Sequence, residues 1–383
     1  MKIAIIGANE YQAKLILKCR ENNIETHVFA WEDGAVGKQY CDFFYDISIT
    51  EKEKILKKCI EIGVDAVLSI GSDLAMITVN YIAANLNLVG NSLFCTKIST
   101  DKYEMRKALS EKEVPCPKFK KVKDLFNNSD IEYMITPLIV KPTDRSGSRG
   151  VNKINNINEL KEAINKAKNE SFCKEVIVEE FIDGKEYSME FFSDNGKHSF
   201  LAITEKFTTG APNFIERAHL QPGRIKEETL LKAIEVAING LNALEICDGA
   251  SHVEIKVDRD AIFIIEIGAR MGGDFIGSEL VRLSTGIDFT EAVMNKSLGK
   301  ISNIEKKYNK YSFVYFIFNE DDLNNIIKNY KYLNKYIIEK DLPINNIFTS
   351  VTDSSNRYGY ILFQFGTYSE YLEVEDILLG EDV

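Results

Sequence analysis

Hydrophobic positions recur along this chain with two periods, and the elements change where the period changes. From residue 1 to about 95, short apolar runs (KIAIIG, THVFA, DAVLSI) alternate with segments of helical period at Glu10 to Asn23, Glu51 to Ile62 and Leu74 to Leu86. That alternation predicts an α/β domain, a parallel sheet flanked by helices. Thr96 to Val114 reads as one helix, capped by Ser99 or Asp101 and ended by Pro115. LIVKP, residues 138–142, is a strand, and Asn158 to about Asn169 an amphipathic helix. VIVEE then passes through a turn at Asp183-Gly184 into a strand that alternates Tyr187, Met189 and Phe191 with polar residues. Lys226 to Ala243, Phe275 to Leu283 and Asp288 to Gly299 are predicted helices. Beyond Ile301, strand-like YSFVYFIF and YGYILFQFG flank a helix at Asp321 to Tyr332, in a small mixed region that carries no motif.

The most informative pattern is HVEIKVDRDAIFIIEIGARMGG, from His252 to Gly273. Val253, Ile255 and Val257 alternate with His252, Glu254 and Lys256, and AIFIIEI follows a short polar break, so the stretch predicts an antiparallel hairpin. With residues 259–261 as the loop, Asp258 faces Ile262 and Glu254 faces Glu266 on the same side of the sheet. Two carboxylates with Cβ atoms about 5 Å apart repel unless a positive charge lies between them. Magnesium takes one or two carboxylates together with nucleotide phosphates, which makes Glu254 and Glu266 candidate metal ligands; a solvated sheet surface is the alternative. Arg270 follows four residues after Glu266, and Gly272-Gly273 let the backbone approach an anion while the guanidinium reaches over it.

Composition narrows the setting. The chain has 383 residues, enough for two or three domains, with 45% hydrophobic and 27% charged residues, ordinary for a globular protein. A formal charge of −11 argues against a nucleic-acid partner. No apolar run approaches a membrane span, and the seven cysteines show no metal-ligand spacing, so a cytoplasmic protein with reduced, mostly buried thiols is expected.

Cationic chemistry is therefore local. Lys141 ends a strand that runs into Thr143-Asp144-Arg145-Ser146-Gly147-Ser148-Arg149-Gly150, where backbone N–H groups, hydroxyls and the lysine can meet phosphate oxygens; a plain hairpin turn is the alternative. The Walker spacing is absent. A dinucleotide site is disfavoured too, since Gly7 is followed by Asn9 and Gln12 where the other glycines should stand. The Gly7 turn and Ser69 to Asp73 remain weak substrate candidates.

Together, H-x-E on one strand and E-x-G-A-R-x-G-G on the next resemble the metal-binding hairpin of the ATP-grasp ligases. DKYEMRKAL, LIVKP with its glycine-serine loop, and VEEFIDGKEYS resemble further segments of that family. The resemblance covers residues 100 to 300 well, residues 1 to 95 as a fold pattern, and nothing beyond. It implies a Rossmann-like domain at 1–95 and an ATP-grasp fold of two α+β subdomains at 96–182 and 183–300; the C-terminal α+β region at 301–383 rests on its own strand and helix pattern. The resemblance implies that Lys102 reaches the nucleotide phosphates with Lys141, that Ser146, Gly147 and Ser148 cover them, that Glu179, Glu180, Phe181 and Ile182 receive adenine, and that Glu186 accepts from the ribose. The family departs here at one position: many members carry Asn two residues after the second metal glutamate, where this chain has Gly268.

Phe214 to Pro222 resembles the E-x-x-H-x-x-P segment of ATP-grasp amino-acid ligases. Glu216 can hold an ammonium group and His219 can take its proton as an amine attacks; a surface ion pair and a loop-filling histidine are the alternatives. Glu216 and His219 share a face on a helical turn, would oppose on a strand, and nearby prolines and glycines suggest neither is regular. The expected activity is ATP-dependent ligation of a carboxylate to an amine through an acyl phosphate, with Arg270, Lys141, His219 and Glu216 catalytic. Glu216, His219, Arg270, Gly272 and Gly273 would contact substrate, with ATP and one or two Mg2+ as cofactors and small molecules as partners, in a monomer or homodimer. A thiol or bicarbonate reaction, and a non-catalytic ATP-binding protein, remain open.

Overall fold

A computed structural model describes residues 1–122, 134–211, 214–343 and 347–380. The first segment alternates β1 (Lys2–Ile6), α1 (Glu10–Glu21), β2 (Glu25–Ala30), β3 (Phe43–Asp46), α2 (Lys52–Ile62), β4 (Ala66–Leu68) and α3 (Asp73–Leu86). Its four strands lie parallel in the order β3-β2-β1-β4. Because helices cover both faces, β1 is apolar at successive positions: Ala4 and Ile6 pack with the α2 and α3 side, Ile3 and Ile5 with the α1 side.

The predicted helix from Thr96 to Val114 is two helices, α4 (Leu93–Thr100) and α5 (Lys102–Glu111). Asp101 breaks them, taking extended backbone and accepting from the Tyr103 and Glu104 N–H groups at 2.9 Å each. Next come β5 (Phe119–Val122), β6 (Leu138–Pro142), β7 (Asn152–Ile154), α6 (Leu160–Glu170) and β8 (Val176–Glu180), an antiparallel sheet in the order β5-β8-β6-β7 backed by α6.

The remaining strands build one antiparallel sheet of eight. They are β9 (Lys185–Asp194), β10 (Lys197–Thr208), β11 (Glu216–Gln221), β12 (Gly249–Asp258), β13 (Ala261–Gly268), β14 (Tyr311–Ile317), β15 (Ile337–Asp341) and β16 (Gly359–Phe365). Interspersed are α7 (Glu227–Ala243), α8 (Val281–Thr285), α9 (Phe289–Ser297), α10 (Glu320–Leu333) and, at the end, α11 (Tyr368–Leu379). The order β13-β12-β9-β10-β11-β14-β16-β15 shows that the motif-free C-terminal strands continue the same sheet. One face buries Tyr187, Met189, Val253, Ile255, Ile264 and Ile267 against Met105 and Leu109 of α5 and the apolar stripe of α7. By the two-residue alternation, Glu186, Ser188, Glu190, His252 and Glu254 lie on the opposite face.

Two irregularities of register decide which side chains reach that polar face. The β12–β13 turn has two residues rather than three, pairing Asp258 with Ala261, and a bulge after Ile264 then restores the expected pairing of Glu254 with Glu266. Glu216 to Gln221 is a strand, contrary to the irregular segment expected, and another bulge pairs Thr208 with Glu216 but Phe207 with Ala218. The extra residue, Arg217, turns Glu216 and His219 to one face, which an unbroken strand would forbid.

Candidate active site

Two cavities open onto the polar face of the large sheet. The first, about 170 Å3, lies between that sheet and the smaller antiparallel sheet, and is lined among others by Lys102, Lys141, Ser146, Gly147, Ser148, Glu179 and Glu186. Glu180, Phe181 and Ile182, the strand-to-strand linker, line it too. The loop after β6 joins it to β7 as a hairpin loop, and its residues Arg145 to Arg149 line the cavity.

Lys141 lies buried at the end of β6, its Nζ 2.8 Å from Glu179 Oε2, while the Nε of wholly buried Arg106 stands 2.8 Å from Glu179 Oε1. Burial, with Arg106 and Lys102 near, pulls the Lys141 pKa down against the pull of Glu179, and the two cations keep Glu179 below the usual carboxylate range although burial opposes it. The Glu179 carboxylate is thus committed to holding Lys141. Glu180 points the other way, to Lys118 at 3.3 Å and the Ile135 N–H at 3.2 Å. The Phe181 N–H donates to the Pro137 carbonyl at 3.0 Å, whereas among the described residues no protein acceptor meets the Ile182 N–H. What this linker offers a ligand is backbone, together with the Phe181 ring, which the ammonium groups of Lys153 and Lys256 approach to 3.5 and 4.6 Å.

Glu254 and Glu266 face each other as the alternation predicts, and each carries a lysine. Lys102 Nζ is 2.9 Å from Glu266 Oε1 and donates to the Arg145 carbonyl at 2.7 Å; Lys206 Nζ is 3.0 Å from Glu254 Oε1. Glu254 also meets His252 Nε2 at 3.2 Å, whose other ring nitrogen bonds the buried Glu190. Burial works against a charged His252, but Glu190 raises its pKa to about 9, and Lys206 and His252 hold Glu254 well below the usual range despite its burial. Among the described residues no group of three or more His, Cys, Asp or Glu is arranged to hold an ion. Two opposed carboxylates whose charge already draws cations suit a magnesium ion completed by phosphates and water. At Gly268, two residues after Glu266, a Cβ would stand 2.9 Å from Arg270 Nε and 3.0 Å from Asp73 Oδ1, where those two side chains pair.

The second cavity, about 540 Å3, includes Asn9, Glu10, Ser72, Asp73, Glu216, His219, Gly273 and Asp274, and residues 353–355 and 357–360. Arg270 stands at its edge, bidentate to Asp73 at 2.9 Å through both Nε and an Nη. Glu216 accepts from Ser354 Oγ at 2.6 Å. His219 is wholly buried, 3.5 Å from Asp274 Oδ2, and neither ring nitrogen makes a hydrogen bond. Burial pushes its pKa below the ordinary value, only partly offset by Asp274, so the ring is a neutral base. Asp274 is clamped by Arg357 at 2.6 and 2.8 Å, and the Arg357 guanidinium lies 3.6 Å over the Phe316 ring.

Gly273 lines this cavity, but Gly272 lines neither: its N–H donates to Glu190 at 3.0 Å, and a Cβ would meet Glu190 and His252. Gly7 lies outside both cavities as well. Gln12, in the place of a dinucleotide glycine, ties the first turn to β4 by accepting from the Ile70 N–H at 3.1 Å and donating to Ser69 Oγ at 3.0 Å. Of Ser69 to Asp73, the second cavity takes Gly71, Ser72 and Asp73. The cavities meet at Ser146, Gly147, Arg149, Lys206, Glu216, Glu254 and Arg270, which line both. Lys206, Arg106 and Arg357 are not legible in the sequence as site residues, since each stands alone there and is brought in by pairing or packing.

The cleft between the two antiparallel sheets thus gathers lysines, a glycine-serine hairpin and paired glutamates. Residues 134–279 match the family model of the ATP-grasp domain. Alanine–anticapsin ligase of Bacillus subtilis (strain 168) is 29% identical over 245 residues, covering 58% of this chain and 51% of that one. D-Alanine–D-alanine ligase of Thermosipho africanus is 28% identical over 228 residues, covering 55% and 60%. The chain thus spans about half the length of the curated relatives it first matches. In fold it is similar to the crystal structure of the L-amino acid ligase from Bacillus licheniformis, with TM-score 0.83 at 23% identity over 99% of this chain and 97% of that one. No described helix is long and apolar enough to cross a membrane.

Proposed function

We propose that this protein is an ATP-dependent carboxylate–amine ligase that forms an amide through an acyl phosphate and releases ADP and phosphate, with an amino acid or related metabolite among its substrates. The observation that carries this reading is the meeting of the two cavities along one wall, which brings a phosphate-type cradle against a pocket holding a neutral buried histidine. In this reading adenine lies against the linker from Glu179 to Ile182, with Glu186 accepting from the ribose hydroxyls, because a carboxylate is a pure acceptor and the ribose offers two donors. Lys102 and Lys141 supply charge to the phosphates under the loop Ser146 to Ser148.

Glu254 and Glu266 would hold magnesium, which when bound shields the phosphate oxygens and stabilises the charge that develops during transfer. Arg270, fixed by Asp73, presents its guanidinium where the carboxylate meets the transferred phosphoryl group. Glu216 holds the amine as an ammonium ion, His219 takes its proton, and the Gly273 backbone admits the substrate close to the sheet end. Gly272 supports that turn from behind. The segments 1–95, 96–182, 183–300 and 301–383 serve as acceptor-side domain, two nucleotide-gripping subdomains and closing region, in a monomer or homodimer.

The test uses hydroxylamine as a small amine surrogate with ATP, Mg2+ and single amino acids. Formation of an amino-acid hydroxamate with an equal amount of ADP supports the reading. Hydroxamate formed with AMP and pyrophosphate would contradict it.

A further inference from the structure

Lys206 sits on β10 at the position paired with His219, its side chain 4% exposed. Its Nζ is 2.7 Å from Glu186, 3.0 Å from Glu254 and 3.6 Å from Glu216. Those carboxylates belong to three different parts of the proposed site: ribose, metal and amine. Burial favours the neutral amine, but the three acids hold its pKa well above the usual lysine range. The ammonium therefore touches all three subsites on the polar face of the sheet, opposite the apolar core.

The same geometry recurs one strand away, where Lys102 sits on Glu266 at 2.9 Å. Each carboxylate proposed to hold magnesium therefore has an ammonium where an ion would draw its charge. A divalent ion and an ammonium cannot share Glu254 without strong repulsion. A lysine suits exchange, being a compact charge on a four-carbon stem that can swing, whereas arginine's rigid fork cannot.

We propose that Lys206 is the counter-ion of Glu254 in the nucleotide-free protein, that a divalent ion displaces it, and that the freed ammonium stays on the shared wall beside Glu216, where it positions the reacting groups. This rests on the reading of Glu254 and Glu266 as metal ligands. Without the ion the ammonium offsets part of the charge of the three acids, and with it the positive charge moves toward the oxygens of the transferred phosphoryl group.

The experiment titrates the nucleotide-free protein with Mn2+, read by electron paramagnetic resonance, in the wild type and in Lys206→Met, Lys256→Met and Glu254→Gln. Lys256 lines the same nucleotide cavity without pairing to Glu254, so it reports the through-space effect of one positive charge. Removing a charge in direct contact should tighten Mn2+ binding roughly tenfold in Lys206→Met, against about twofold or less in Lys256→Met. The gain should vanish in the double variant with Glu254→Gln. Lys206→Gln, which can still donate to Glu186, takes the place of the methionine variant if that one does not fold. Unchanged Mn2+ affinity in both Lys206 variants, with binding lost in Glu254→Gln, overturns the proposal and leaves the metal reading standing. Unchanged binding in both Glu254→Gln and Glu266→Gln overturns the two together.

Discussion

Lysine and glutamate meet at several points in this site, and each meeting has a different consequence on removal. Lys141 is held by Glu179 with Arg106 behind it, so Lys141→Ala removes a phosphate charge that no added ion replaces, and ligation should fall about a hundredfold or more. Glu266→Gln weakens the metal site instead, and raising Mg2+ should restore part of its activity; equal rescue of both variants in a magnesium titration would contradict the assignment. His219 lends itself to a pH profile. Burial keeps it neutral below its ordinary pKa of about 6.5, against the pull of Asp274 and Glu216 and with Lys206 reinforcing the shift. The rate with the amine should therefore hold level through pH 6.5 and fall only at lower pH, with that acid limb absent in His219→Ala. Stability carries the same sign: the unfolded chain takes the proton first, so this histidine destabilises the fold as the pH drops below about 6.5. Glu254 and Glu266 are legible in the sequence as a facing pair, although the pairing is reached through a shorter turn and a compensating bulge that alternation does not show. Lys206 is not, since nothing in TEKF marks it and only the pairing with β9 and β11 brings it to three acids.

At the scale of elements, short bulges and breaks do what periodicity cannot foresee. The extra residue at Arg217 turns Glu216 and His219 to one face, and the bulge after Ile264 rescues a register that the two-residue turn would have shifted. Long periodic elements such as α1, α3, α7 and the β12–β13 hairpin are legible close to their observed bounds. Three- to five-residue strands such as β3, β5, β7 and β15 carry too few positions to show a period. The break at Asp101 has a functional corollary. Its carboxylate caps α5 one residue before Lys102, so Asp101→Ala should cost about 1 kcal/mol in denaturant unfolding and weaken ADP binding severalfold by calorimetry. Asp101→Asn, which keeps the acceptor, should do neither. Loss of stability without loss of ADP affinity would separate the cap from the site.

At the scale of the molecule, the site is completed from both ends of the chain. Asp73 of the parallel-sheet domain holds Arg270, and Arg357, from the region that carries no motif, holds Asp274 beside His219. That second contribution is illegible in the sequence because it depends on β14 and β16 extending the large sheet until the segment before β16 reaches the second cavity. Arg357→Leu leaves a buried carboxylate without its cation and should cost about 3 kcal/mol or more. It should also raise the KM for the amine substrate while ADP affinity stays within about twofold; an unchanged KM would place the C-terminal region outside acceptor binding.

The central claim, that a carboxylate attacks the terminal phosphate of ATP and an amine then displaces phosphate, is tested most directly by isotope transfer. Amino acids labelled with 18O in their carboxylates are incubated together with ATP, Mg2+ and the protein, and the nucleotide, phosphate and condensed products are analysed by mass spectrometry. The account predicts an amide product, an equal amount of ADP, and phosphate carrying one 18O from the substrate. AMP with pyrophosphate, phosphate without label alongside an amide, or no amino-acid-dependent ADP from any pair would contradict it.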